Sequence, residues 1–199
     1  MAATAGTGCS PWVRVSRRDD AFVKPALDAG AEGILFPLVR TAADAAECVA
    51  LTTYPPRGRR GWGPFAAHSR WGVELFDYAS KRGGDTVCGL LIETKAAIDN
   101  LEDICRVEGI DYMAIATFDL STELGVSGKF DAPILVDAVD HAERVILKAG
   151  IALGAAAFTR EQAQRNHSRG HRLFFYGFDA LMLKQRAREA AGWLQPPPR

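Results

Sequence analysis

Two acidic residues, each placed just after an apolar run, are the positions in this chain best suited to chemistry. Glu93 closes the run TVCGLLI at 86–92, and Asp119 follows YMAIATF at 112–118. Such runs read as buried strands, and a helical pattern follows each acid. In a β/α architecture both carboxylates then fall on one rim of a parallel sheet, where catalytic groups sit. Two carboxylates converging there can hold a hard divalent cation and leave coordination positions for substrate oxygens. A plainer explanation exists for either acid alone, because an acid after a strand often caps the next helix. Arg14 is the third candidate. It alternates with Val13 and Val15 in WVRV at 12–15, so it points away from them. That direction is solvent in an open sheet and the interior in a barrel.

The segments that must position these side chains alternate between strand and helix. Strands are predicted at 12–15, 33–37, 86–92, 112–116, 152–157 and 173–176. Helices are predicted at 20–29, 42–51, 95–107, 133–149, 160–169 and 179–194, with Thr41 and Thr159 as N-caps and Asp44 in the capping-box position. A loop is expected around 121–125. Residues 54–84, rich in Gly, Pro and Arg, interrupt the rhythm with one short amphipathic piece near 73–81. Strand–helix alternation implies a parallel sheet covered by helices. Six strands are too few for a closed (β/α)₈ barrel, which takes eight strands and about 250 residues. An open doubly wound sheet is the alternative, although no Gly-rich phosphate loop follows the first strand.

Composition narrows the function classes. The chain has 199 residues, 48% apolar and 24% charged, with 24 basic side chains against 24 acidic ones. That balance points away from a nucleic-acid or membrane-surface partner. No apolar run approaches the roughly 20 residues of a membrane span, and the N-terminus is a poor signal peptide. Cys9, Cys48, Cys88 and Cys105 lack metal-site spacing and read as reduced thiols of a cytoplasmic protein. Arg57, Arg59 and Arg60, beside Trp62, are assigned to a loop over the active site. None of His68, His141, His167 and His171 is assigned a catalytic role.

Several stretches, taken in order, resemble the HpcH/HpaI aldolase family, which includes citrate-lyase β-type enzymes. They are WVRV at 12–15, ALDAGAEGILFPLVRTAADA at 26–45, YPPRGRRGWGPFAAHSRWG at 54–72, IETKAAIDNLEDI at 92–104, EGIDYMAIATFDLSTELG at 108–125 and KAGIALG at 148–154. The resemblance implies a TIM-type (β/α)₈ barrel of the phosphoenolpyruvate/pyruvate-binding type, here incomplete, with about six units and the first two missing. It implies a tail at 1–10 without a family counterpart, a barrel domain at 11–195 and a disordered tail at 196–199. It also implies a class II aldolase: a metal-dependent lyase that cleaves 4-hydroxy-2-oxo acids to pyruvate and an aldehyde, or decarboxylates oxaloacetate. Glu93 and Asp119 match the metal-binding carboxylates, and Arg14 matches the arginine that contacts the pyruvate oxygens. Gly61 lies in the family's RG-x-G loop. The implied metal is Mg²⁺ or Mn²⁺, with Co²⁺ or Zn²⁺ as alternatives, and the implied assembly is a homo-oligomer.

The chain also departs from the family pattern. The family's catalytic histidine precedes the arginine strand, but residues 1–10 contain none. A truncated product, a mis-called start and a shortened paralogue all fit this departure. Ala116, Thr117 and Phe118 stand where the family has Gly-Pro-x, so Thr117 and Phe118 are expected at the substrate, with Phe118 narrowing the pocket. Two further functions stay open: a catalytically impaired remnant or interaction protein, and a ring-forming biosynthetic enzyme of the macrophomate-synthase kind.

Overall fold

Three of the four strands in the first half are near-continuous apolar runs, as in a sheet buried on both faces, and successive side chains alternate between those faces. The computed structural model describes residues 1–193; the expected disordered tail at 196–199 and the final residue of the last predicted helix lie outside them. Two compact units are present, Met1–Leu153 and the residues from Gly154 onward.

In the first unit, strands β1 (Trp12–Arg14), β2 (Gly33–Phe36), β3 (Val87–Ile92) and β4 (Tyr112–Ile115) lie side by side in chain order. All three pairings are parallel, with Arg14 opposite Leu35, Leu35 opposite Gly89, and Leu91 opposite Ala114. One face carries Ile34, Phe36, Cys88, Leu90, Ile92, Met113 and Ile115 into the core. Helices α1 (Asp20–Asp28), α2 (Ala42–Thr52), α3 (Ala67–Arg70), α4 (Tyr78–Arg82), α5 (Lys95–Asp99), α6 (Leu101–Cys105), α7 (Thr117–Glu123) and α8 (Pro133–Lys148) follow the strands. Leu27, Leu51, Ile104 and Ile146 bring α1, α2, α6 and α8 onto that face. The opposite face holds Trp12, Leu35, Leu91 and Tyr112. There Gly33 is required by space, since a Cβ would lie 2.7 Å from the Trp12 ring. Trp12 and Tyr112 meet edge to face at 5.7 Å.

The second unit begins within β5 (Ala152–Ala156), whose residues Gly154 to Ala156 pair in parallel with Leu173 to Phe175 of β6 (Leu173–Phe175). Helices α9 (Arg160–Ser168) and α10 (Asp179–Gly192) follow them.

Local signals set most boundaries. Thr41 and Asp44 form a full capping box at α2, and Thr159 does the same with Gln162 at α9. Two expectations are corrected. The helix predicted over 95–107 is two short helices that meet at Asn100, whose side chain bonds back to the Ala96 and Arg40 carbonyls. The loop predicted around 121–125 is mostly α7, which the Ser121 and Thr122 hydroxyls stabilise by donating to the Phe118 carbonyl. All four cysteines are free, and burial pushes the thiols of Cys48, Cys88 and Cys105 upward, Cys105 to about 11. Among the described residues no helix is long and apolar enough to cross a membrane.

Candidate active site

The C-terminal ends of β1 to β4 open onto one cavity of about 480 Å³, lined by residues that follow each strand in turn. Arg14 ends β1 and Ser16 lies just beyond it, Pro37, Leu38 and Arg40 come from the β2–α2 turn, Glu93 and Thr94 directly follow β3, and Asp119, Thr122 and Glu123 come from α7. Arg14, Glu93 and Asp119, which the sequence singled out separately, therefore face the same space.

Each is placed by a local rule. Arg14 shares the Trp12 face of β1 because side chains alternate along a strand. Glu93 extends the Gly89–Leu91 face one step past β3, and Thr94 then caps α5 by accepting the Ala97 N–H. Asp119 is not at a strand end. β4 stops at Ile115, and Asp119 sits in the first turn of α7. Thr122 and Glu123, three and four positions on, share its face.

Glu93 is only 5% exposed, whereas Arg14, Asp119, Thr122 and Glu123 are exposed. Burial pushes the Glu93 carboxyl above the ordinary carboxylate range, and the Asp119 charge pushes it further. The Leu38 N–H, Arg14 and Arg40 act in the other direction. That N–H donates to Glu93 Oε1 at 2.6 Å from a residue whose φ is +55°. A left-handed backbone costs an L-residue about 1–2 kcal/mol.

Other sequence candidates lie elsewhere. Thr117, Phe118 and Gly61 do not line the cavity. Phe118 does not narrow it: the helical turn carries its ring, 53% exposed, onto Phe130 at 4.8 Å. Gly61 packs against the Lys24 side chain. No residue of 54–84 lines the cavity either, so the expected lid is corrected. Arg60 turns into the protein instead, with its guanidinium 4.5 Å from the Tyr54 ring centre, and Arg59 pairs with Glu47. Arg40, Leu38 and Glu123 were missed by sequence reasoning. A helical assignment of 117–123 would have revealed Glu123, but nothing local signals the backbone of Leu38.

The donors fit a hard cation. Glu93 and Asp119 repel each other across the cavity, which a cation would relieve, and the neighbouring hydroxyls supply only oxygen. Among the described residues no cluster of three or more His, Cys, Asp or Glu side chains is arranged as metal ligands. Such an ion would therefore lean on two carboxylates.

A sequence model of the HpcH/HpaI aldolase/citrate lyase family matches residues 1–185. The chain belongs to this family. It is 34% identical over 190 residues to the hydroxypyruvate/pyruvate aldolase of Chromohalobacter salexigens, covering 95% of this chain and 74% of that one. It is 37% identical over 183 residues to the 4-hydroxy-2-oxo-heptane-1,7-dioate aldolase of Shigella sonnei, covering 91% and 69%. The crystal structure of an HpcH/HpaI aldolase/citrate lyase family protein from Burkholderia cenocepacia superposes with a TM-score of 0.86 at 30% identity, covering 95% of this chain and 75% of that chain. The fold is thus of the incomplete α/β-barrel class, with six strands among the described residues. HpcH/HpaI membership makes this a chain of the aldolase and carbon–carbon lyase class.

Proposed function

We propose that this HpcH/HpaI chain is a divalent-metal-dependent lyase acting on small 2-oxo acids. It either cleaves 4-hydroxy-2-oxo acids to pyruvate and an aldehyde or decarboxylates oxaloacetate. The observation that carries this reading is the convergence of Arg14, Glu93 and Asp119 on one cavity. Glu93 and Asp119 would hold Mg²⁺ or Mn²⁺. When bound, the cation supplies Lewis acidity toward the keto oxygen and carboxylate of the substrate.

The chain's own groups do the rest. Arg14 offers a planar pair of donors to the oxygens that gain charge as the carbon–carbon bond breaks. Replacing it by lysine keeps the charge and removes the fork, so kcat/KM should fall roughly tenfold to a hundredfold. An unchanged kcat/KM in steady-state assays of R14K would remove Arg14 from this role.

Retro-aldol cleavage also needs a base to take the hydroxyl proton, worth about 10²–10⁴-fold. Among the described residues no histidine lines the cavity. Decarboxylation needs no such base, because CO₂ leaves and solvent reprotonates the carbon. Oxaloacetate decarboxylation should therefore outrun aldol cleavage. The test is pyruvate release from oxaloacetate and from a 4-hydroxy-2-oxo acid, each with Mn²⁺, with Mg²⁺ and after EDTA. Faster aldol cleavage under identical metal conditions refutes the base argument, and release indifferent to EDTA refutes the metal. The expected homo-oligomer is part of the same proposal, and light scattering of the purified chain tests it.

A further inference from the structure

Glu93 is held by a relay that begins two elements away. Its Oε1 accepts the Leu38 N–H at 2.6 Å, and Leu38 keeps φ at +55°. L-residues rarely hold that conformation unless their surroundings impose it. The Leu38 side chain imposes little, being 45% exposed. The constraint comes through its carbonyl, which accepts Arg18 Nη1 at 2.8 Å. Nη2 of the same guanidinium meets Asp44 Oδ1 at 2.7 Å. The second oxygen of Asp44 accepts the Arg40 and Thr41 N–H groups at 2.8 and 3.1 Å, so Asp44 is itself fixed. One planar fork thus ties the start of α2 to the carbonyl of the residue whose N–H donates to Glu93.

We propose that Arg18, oriented by Asp44, is a positioning residue that acts through the left-handed backbone of Leu38, holding its carbonyl on one side so that its N–H on the other presents Glu93 to the cavity. The Leu38 N–H occupies Oε1 and leaves Oε2 for a cation. Without the fork, Leu38 relaxes to negative φ, its N–H turns away, and the carboxylate loses its fixed rotamer. This deepens the metal-dependent reading and rests on it only where a cation is concerned. An Arg18 that merely clamped α2 would leave Glu93 unaffected.

Glycine separates the two roles, because it takes φ +55° without steric cost. The experiment compares the wild type, R18Q, L38G and the double variant, with R18K, which keeps one donor, added in case R18Q does not fold. In metal-free protein, amide hydrogen exchange at residue 38 is read by NMR. R18Q should speed it about tenfold while the amides within α2 stay protected. Mn²⁺ affinity is then read from the EPR signal of free Mn²⁺. R18Q should weaken it about tenfold, and adding L38G should recover at least about threefold of that loss. Unchanged exchange at residue 38 in folded R18Q overturns the proposal, as does faster exchange spread evenly over α2 or an affinity loss that L38G does not reduce. A wild type without Glu93-dependent Mn²⁺ affinity overturns the metal-dependent reading instead, and the exchange result then decides this proposal alone.

Discussion

Glu93→Gln should lower metal-dependent pyruvate release about a thousandfold. Glutamine is nearly isosteric and still accepts the Leu38 N–H, so the turn after β2 stays in place. What it loses is the charge, leaving Asp119 as the only carboxylate of the pair. Lewis-acid stabilisation of the charge that develops on a substrate is worth several kcal/mol, and about 1.4 kcal/mol is tenfold in rate. The steady-state rate with saturating Mn²⁺ is the measurement. A wild-type rate in E93Q, with wild-type sensitivity to EDTA, would mean that the acid pair is no metal site.

The same substitution has a stability signature of opposite sign. Burial and Asp119 raise the Glu93 pKa above its unfolded value. The folded chain then binds the proton more tightly than the unfolded chain. The contribution is fully present below the ordinary carboxylate pKa and is lost as pH rises through the raised one. At neutral pH the ionised Glu93 is therefore a liability in the metal-free fold, and E93Q should melt above the wild type there. Near pH 4 the two should converge. A cation that favours the carboxylate closes the neutral-pH gap, which calorimetry with and without Mn²⁺ would reveal. A structure kept less stable so that a site can ionise is the usual trade between stability and activity.

The second large effect concerns Arg60. It is 2% exposed, with its guanidinium carbon 4.5 Å from the Tyr54 ring centre and 5.8 Å from that of Tyr78. Nη1 reaches Thr86 at 3.4 Å and Nη2 approaches Asp28 at 3.8 Å. This one side chain thus packs between Tyr54 and Tyr78 of the 54–84 segment and joins it to Asp28 of α1 and to Thr86 just before β3. Arg60→Ala would leave a cavity, remove both ring contacts and loosen a half-buried carboxylate. Breaking a buried ion pair costs about 3–5 kcal/mol. Asp28 retains Lys24, so the lower end applies, about 3 kcal/mol or a melting point lower by roughly 6–12 °C. The catalytic rate at low temperature should hold, because no residue of 54–84 lines the cavity. A large fall in kcat without a fall in melting temperature would restore the segment to the site.

Much of this was legible because β/α proteins write their order locally. The strands are apolar runs, the caps at Thr41 and Thr159 are short-range hydrogen bonds, and the alternation of strand with helix gives a parallel sheet. Glu93 could be placed because it directly ends a strand and the period of two fixes its face. Asp119 was found for a partly mistaken reason: it does face the cavity, but it belongs to a helical turn. That turn is why Phe118 points away from the cavity and why Thr122 and Glu123 point into it.

The sequence by itself determined the alternation of strand and helix, the family and the choice of Arg14, Glu93 and Asp119, since each depends on residue type and spacing within one element. Only the tertiary structure decided that Arg60 packs into the fold between two tyrosines, and that Leu38 turns left-handed under Arg18 to reach Glu93. Those outcomes depend on groups 20 to 55 positions apart in the chain. Packing and long-range hydrogen bonds, rather than local propensity, choose the conformation there.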